Sequence, residues 1–488
     1  MKGYPKKVIH WIGDKEVRPA SGKFFPKMNP ADGDVLTLVA KGDKRDVVKA
    51  LASAEKGLAA WSGVPVVKRA EILRDAVLRM RERKDELAEI VAVESGKSKK
   101  LALGEVDAAI ECGFFFAGEG RRFFGTVLPT IVPNRSVKMI REPVGVGALI
   151  TPFNNPAAGV AWKIFPALLC GNAVILKSHE YTPYVAVWYA KVFKEVGIPA
   201  GVISVLQGAG SEVGLPIISD GRVAFVSFTG SVATGQKILK RTAGRLAKVS
   251  IEAGGKNPFV VCDDADLEKA AATAVAAAFV DAGQRCAAAS RIIIFDKVYE
   301  KFKKLFLQKV STLKVGTADT DDYGAIISEK RLKDILNVVR GAQKRRGIVL
   351  TGGNRIADET RKKGYFMEPT VFERVSPKDE ISQKELFGPV VALYRVKNLD
   401  EAIRLSNDSQ YKLSGAIHTS SIHRAEEFIR RYRAGVVRVN GPTHGSEPHM
   451  PFGGVGMSGN GWREPGTNAL DFYSDWKQVS VDYDSEKI

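Results

Sequence analysis

The sequence predicts an α/β protein built on parallel, doubly wound sheets. Three observations carry this. From residue 143 onward, short apolar strands alternate with helices. Glycine-rich turns follow several of those strands. A second strand–helix alternation begins after Gly254-Gly255. Before these come long amphipathic helices. One is predicted near 43–60 with Asp43 as its cap. The next covers about 68–96, with apolar residues at three- and four-residue spacing and Gly96 as its stop, and a third covers about 102–120. The alternating region reads as strand PVGVGALITPF, strand NAVILKS, a helix stopped by Gly197, then strands VISVLQG and VAFVSFTGS. The second unit reads as an Ala-rich helix 264–282, strand RIIIF, helix 297–310, and strands VVALY, GAIHT and VVRVN. The final segment, DFYSDWKQVSVDYDSEKI, reads as an exposed strand. With a hairpin-like stretch from Gly125 to Pro143, it is expected to form an arm that pairs with another chain. The alternative is a strand added to the chain's own sheet.

At roughly 150 residues per domain, 488 residues suggest about three domains. The net charge of +18 has two readings. Clustered basic residues would suit a nucleic acid. A solvated surface rich in Lys and Glu, as in heat-adapted proteins, would carry the same charge. The basic groups, such as Lys99-Lys100 and Arg361-Lys362-Lys363, are scattered, and no RNP-like or zinc-finger pattern accompanies them. The second reading is preferred, and no nucleic-acid partner is expected. Cysteines 112, 170, 262 and 286 form no CxxC pair, which suits a reducing cytoplasm. The N-terminus lacks an apolar leader, and no run approaches the 18 or more apolar residues of a membrane helix. A cytoplasmic protein without metal or membrane contacts is expected.

Cys286 sits in DAGQRCAAASR, between a helix and a strand. Alone, a cysteine among small residues is a packing residue or a nucleophile. Small neighbours leave room for a substrate, and Arg285 can favour the reactive thiolate. Asn154, in TPFNNP, is a turn residue or an oxyanion donor. Glu252, in SIEAGGKNP, is a cap, an ion-pair partner or a base for a hydrolytic water. QGAGSEVG (207–214) and FTGSVATG (228–235) each follow a strand and open a helix. Their spacings, GxGxxxG and GxxxxG, depart from GxGxxG, yet two such loops suit a dinucleotide phosphate at helix N-termini.

Taken in order, TPFNNP, LKSHEYTP, FTGSVATG, IEAGGKNP, GQRC, ELFGPVV and PFGGVGMSG resemble the aldehyde dehydrogenase superfamily, from about Val8 to Asp482. The resemblance implies a Rossmann-type cofactor domain (1–124 and 144–254), a second α/β catalytic domain (255–455), a connecting segment (456–469) and a β oligomerisation arm (125–143 and 470–488). It implies that Cys286 attacks an aldehyde, that Asn154 and the Cys286 amide hold the oxyanion, and that Glu252 activates water to release an acid. Trp162 and Lys163, in AWKIFP, match the wall beside the oxyanion Asn, Lys163 among the catalytic residues. Phe452 would border the substrate tunnel. The implied cofactor surface runs through Thr151, Pro152, Phe153, Lys177, Ser178, His179, Glu180, Gly210, Gly214, Phe228, Thr229, Gly230, Ser231, Ala253, Gly254, Glu385 and Phe387. Lys177 and Glu180 resemble the ribose-binding pair, and Gly230-Ser231 the pyrophosphate turn.

Relatives that acylate coenzyme A lack the Glu, so Glu252 argues for hydrolysis over an acylating or phosphorylating variant. The presence of Cys286, Glu252 and Asn154 together argues against a catalytically silent basic binding protein. The family often has Lys-Pro where this chain has Lys177-Ser178, followed by His179. Glu180 favours NAD, since a carboxylate repels a 2′-phosphate, while Lys177 and His179 could neutralise that phosphate and admit NADP. Trp462 before Arg463-Glu464, and the chain's ending, resemble archaeal members that act on 2-oxoglutarate semialdehyde or small hydroxyaldehydes. Arg285 and His449 are candidates for an acidic or hydroxylated substrate tail. A homodimer or homotetramer is expected.

Overall fold

The computed structural model describes residues 3–483. Helix Lys44–Ser62 begins at Asp43 with a capping box. The Asp43 carboxylate accepts from Arg45 N–H at 2.8 Å, and Asp46 accepts from Asp43 N–H at 3.0 Å. The helix expected over 68–96 is two, Val66–Glu82 and Lys84–Ser95. The break falls at Arg83 (φ −110°, ψ 22°), where the guanidinium reaches Glu86, Glu195 and the face of Trp188. That long-range contact leaves no trace in local periodicity. Helix Lys99–Glu119 starts earlier than read, because Ser98 caps it by accepting from Leu101 N–H.

Two seven-stranded sheets form the body. The first runs Lys248–Ala253, Val223–Gly230, Val146–Ile150, Ala173–Lys177 and Ile203–Leu206, all parallel. It is extended by the antiparallel strands His10–Ile12 and Lys15–Val17. Its parallel strands are almost wholly buried and read as continuous apolar runs, as sheets covered by helices on both faces do. In chain sequence their spatial order is 5-4-1-2-3, so the winding reverses between Val146–Ile150 and Val223–Gly230. A crevice opens beyond the carboxyl ends of the strands at such a reversal.

The second sheet carries parallel strands Thr370–Glu373, Val390–Val396, Ala289–Phe295, Asn257–Val261, Ser414–His418 and Val436–Val439, with Ile348–Thr351 antiparallel at one edge. Gly254-Gly255 joins the sheets, so residues at the end of one face residues entering the other.

A third, three-stranded sheet holds Thr126–Leu128, Arg135–Pro143 and Ser474–Asp482. The last strand pairs along nine residues of Arg135–Pro143 in its own chain, and residues 471–473, read as strand, belong to the short helix Ala469–Tyr473. Residues 484–488 of the expected arm lie outside the described residues. This sheet exposes Val127, Trp476 and Val481, and the loops beside it expose Phe124 and, completely, Ile131. No helix among the described residues is long and apolar enough to cross a membrane.

Candidate active site

A cavity of about 1380 Å³ opens at the strand reversal and runs between the two sheets. Thr151, Pro152, Phe153 and Asn154 enter it directly after strand Val146–Ile150. Phe228, Thr229 and Gly230 end the neighbouring strand and line the cavity with Ser231, and Ala253 ends the next strand and lines it with Gly254. Lys177, His179, Glu180, Gly210, Gly214, Glu385 and Phe387 also border it. Ser178 does not. Its hydroxyl points into the protein and donates to Gln207 Oε1 at 2.6 Å.

Local geometry explains the cofactor wall. Ser231 caps helix Val232–Thr242, so the first-turn N–H groups of Val232 and Ala233 lie at the cavity wall, where a phosphate is favoured. Gly210–Gly214 forms a single π turn rather than a regular helix start, and a Cβ at Gly210 or Gly214 would meet open space. Glu180 accepts from Gly210 N–H at 3.0 Å and pairs with Lys177 at 3.2 Å. Despite burial, Lys177 holds Glu180 below the ordinary carboxylate range. His179 is pushed down to about 4 by burial and packs edge-on against Phe153. With no ligand bound its imidazole is neutral at neutral pH. Glu385 lies so close to Gly254 that a Cβ there would sit 1.9 Å from its carboxylate. It accepts from Gly255 N–H, and burial raises it to about 7. A helix terminus with free N–H groups, a paired anionic Glu180 and a side-chain-free turn fit a dinucleotide.

The chemical end is built on an unusual turn. Asp281, Ala282 and Gly283 all take left-handed φ, 54°, 56° and 65°. Two of the three carry a Cβ, so the turn is strained and needs outside support. Asp281 supplies it through Arg285 Nε at 2.6 Å and Lys97 Nζ at 3.5 Å. Cys286 follows, partly exposed at the cavity. The Asn257 amide, from the opposite strand, donates to Cys286 O at 2.8 Å and Ala288 O at 2.9 Å. Burial first, then the Glu385 and Glu252 carboxylates, push the Cys286 thiol up to about 12. Arg285 acts in the expected direction but is outweighed.

Glu252 ends its strand only 4 % exposed, and neither carboxylate oxygen has a hydrogen-bond partner among the described residues. Burial, then Glu464, raise its pKa well above the carboxylate range. Gly453 accommodates it, since a Cβ there would lie 2.3 Å from Glu252 Oε1. Lys163 Nζ sits 2.6 Å from Glu464 and 2.9 Å from Ser227 Oγ, and Ser227 and Tyr473 also donate to Glu464. Glu464 was not among the expected site residues. Its signal was the Trp462-Arg463-Glu464 triplet, read for Trp462, which instead packs against Phe472.

Trp162 and Phe452 border the cavity with ring centroids 5.6 Å apart. His449 does not border it: its side chain is exposed, and the nearest acid is Glu447 at 3.9 Å. His444 takes that place on the wall. Burial and Arg285 push it down to about 4, so it is neutral and offers Nδ1 to Arg285 Nη1 at 3.3 Å.

The sequence pattern of the aldehyde dehydrogenase family matches residues 17–479. The alpha-ketoglutarate semialdehyde dehydrogenase of Haloferax volcanii is 37% identical over 478 residues, covering 98% of each chain. The 2,5-dioxopentanoate dehydrogenase of Saccharolobus solfataricus is 38% identical over 484 residues, covering 98% of this chain and 99% of that one. Among solved structures, a betaine aldehyde dehydrogenase from Staphylococcus aureus in complex with NAD+ superimposes with a TM-score of 0.95 at 32% identity, over 97% of this chain and 94% of that one. An E. coli NADP dependent enzyme superimposes with a TM-score of 0.94 at 32% identity, over 98% of both chains. With these likenesses spanning nearly its whole length, the chain belongs to the aldehyde dehydrogenase family and oxidises an aldehyde to a carboxylic acid with NAD(P)+.

Proposed function

We propose that the enzyme oxidises a small aldehyde bearing a carboxylate tail, a 2-oxo acid semialdehyde, and releases the product by hydrolysis. The observation that carries the substrate class is Arg285. Its guanidinium borders the cavity next to Cys286, and two of its N–H groups are engaged, one by Asp281 and one by neutral His444. A guanidinium has five donors in a fork that matches a carboxylate. Lys100 adds a second cation to the wall. The names of the Haloferax and Saccharolobus relatives support the same class.

In this reading the Cys286 sulfur attacks the aldehyde carbon as its proton passes to solvent through the open cavity, giving the thiohemiacetal as its oxyanion. The Asn154 amide and the Cys286 backbone N–H donate to the new oxyanion, which bears charge only after attack. NAD(P)+ held along residues 151–154, Gly230-Ser231, Glu385 and Phe387 would supply the hydride acceptor for that carbon, and the thioester would remain on Cys286. Glu252 then takes a proton from water, the water oxygen adds to the thioester, and the thiolate leaves as the acid forms. An unpaired carboxylate in the cavity of the nucleophile supports water rather than coenzyme A or phosphate as the acceptor. The Lys163–Glu464 pair holds a charge close enough to tune Glu252. For the cofactor, NAD+ is preferred. Lys177 is engaged by Glu180, and with no ligand bound His179 is neutral, so neither stands ready for a 2′-phosphate.

The exposed apolar side chains of the three-stranded sheet fit assembly as a homodimer or homotetramer. Four free cysteines, one of them the nucleophile, fit a reducing cytoplasm.

Three outcomes follow from this reading. Arg285→Ala lowers kcat/KM for 2-oxoglutarate and succinate semialdehydes about 10- to 100-fold more than for neutral aldehydes, the worth of a hydrogen bond to a charge. Equal losses on both classes would overturn the carboxylate reading. Gly453→Ala drives a Cβ into the Glu252 carboxylate and lowers kcat about 10²-fold without changing the Kd for NAD+. The third concerns stability. The folded pKa of Glu252 is raised, so above the ordinary carboxylate pKa the unfolded chain ionises first and stability falls as pH rises. Glu252→Gln removes that loss. Its Tm gain over wild type is largest near about pH 8 and vanishes near about pH 4, where both states are protonated. Calorimetry across that range checks it.

A further inference from the structure

The chain leaves helix Lys84–Ser95 through Gly96 in the left-handed region and runs along the seam between the two sheets. Ala325 N–H donates to Gly96 O at 2.9 Å, and a Cβ at Gly324 would meet that carbonyl at 2.0 Å. The next residue, Lys97, is 6 % exposed. Its ammonium meets oxygens from three separate pieces of chain. These are Glu105 Oε2 at 2.9 Å, the backbone carbonyl of Asn154 at 2.9 Å, and Asp281 Oδ1 at 3.5 Å. The remaining carboxylate oxygens continue the network. Glu105 Oε1 accepts from Ala157 N–H at 2.7 Å, at the start of the helix that follows Asn154. Asp281 Oδ2 accepts from Arg285 Nε at 2.6 Å, one residue before Cys286.

We propose that Lys97 is a positioning residue that locks the two oxyanion donors, the Asn154 amide and the Cys286 backbone N–H, into one geometry across the seam. This rests on the roles given above to Asn154 and Cys286. The two donors come from different sheets, and no strand ladder links them. Asn154 stands on a loop after the first sheet, and Cys286 follows a turn of three left-handed residues. Lys97 holds the Asn154 peptide by its carbonyl and the turn by Asp281. Donors of this kind must be fixed to roughly 0.5 Å, and a 1 Å error costs about 10²-fold in rate.

The residue type follows from the acceptors. An ammonium presents three N–H groups from a single point, matching three oxygens. A planar guanidinium spreads its donors along a fork and cannot meet all three at once. A neutral side chain would leave Glu105 as a buried carboxylate without a counter-charge and Asp281 with Arg285 alone. Burial disfavours the Lys97 charge, but Asp281 and Glu105 outweigh it and hold its pKa above the ordinary lysine value. Asp281, despite burial, is held down to about 2 by Lys97 and Arg285. Lys97 and Asp281 are therefore held in their charged forms, while burial outweighs Lys97 at Glu105 and raises it.

The test is a double-mutant cycle with Asn154→Ala, using Lys97→Arg and Asp281→Asn as two independent ways of loosening the lock. Asp281→Asn keeps Lys97 on Asn154 and Glu105, and carries the test if Lys97→Arg does not fold. Each variant is read by kcat/KM on one aldehyde, by NAD+ affinity and by far-UV circular dichroism. Each single change is expected to lower kcat/KM about 10²-fold with NAD+ affinity unchanged. In the Asn154→Ala background the same change is expected to cost less than about threefold, because the donor being positioned is gone. A loss of equal size in both backgrounds, or a folded variant with wild-type kcat/KM, would overturn the lock. Asn154→Ala alone at wild-type rate would overturn the oxyanion role of Asn154, and the lock with it.

Discussion

The Glu252 carboxylate is buried with no hydrogen-bond partner for either oxygen among the described residues, and the rest of the site is arranged around that fact. Burial raises the pKa of a carboxyl deprived of donors, so its ionised form is a stronger base toward water than a solvated carboxylate. Glu464 presses its pKa further up, while Lys163, bonded to Glu464 and Ser227, moderates the effect. Gly453 is bare because the carboxylate lies against it, and Gly254 is bare because Glu385 does. Two glycines that could pass for turn residues are there to admit carboxylates.

The same crowding of acids acts on the nucleophile. Glu385 and Glu252 both raise the Cys286 thiol, and Arg285 alone does not reverse them. The resting thiol is thus protonated, and its reactivity depends on what else enters the cavity. The protein's own investment is in placement. A left-handed turn is pinned by Asp281 from one side, and the Asn257 amide holds the Cys286 carbonyl from the other. Preorganised donors then meet a charge that develops only during reaction.

Much of this was legible in the sequence, and the failures have physical reasons. Asn154, Glu252 and Cys286 were read from ordered motifs and strand-end positions, and the fold brings all three to one cavity. Lys97, Glu105, Asn257 and Glu464 were missed because each acts on a backbone or an ion at long range in sequence. Asn257 lay inside the motif that identified Glu252, yet nothing in GGKNP says that its amide faces the nucleophile loop. His449 was named in place of His444 because an irregular loop offers no periodicity from which to infer direction. Ser178 was grouped with Lys177 and His179 by adjacency, but alternation along the segment turns its hydroxyl to Gln207. The break at Arg83 likewise comes from a partner more than a hundred residues away.

The central claim is that Glu252 serves the second half of the reaction, the release of acid from Cys286, while the first half proceeds without it. Rapid-mixing of Glu252→Gln with saturating aldehyde and NAD+, followed by mass analysis of the quenched protein, tests this directly. The account predicts a burst of NADH approaching one per active site, very slow turnover afterwards, and an acyl adduct on the peptide carrying Cys286. Steady turnover at the wild-type rate, or a variant that neither bursts nor carries an adduct while binding NAD+ normally, would contradict it.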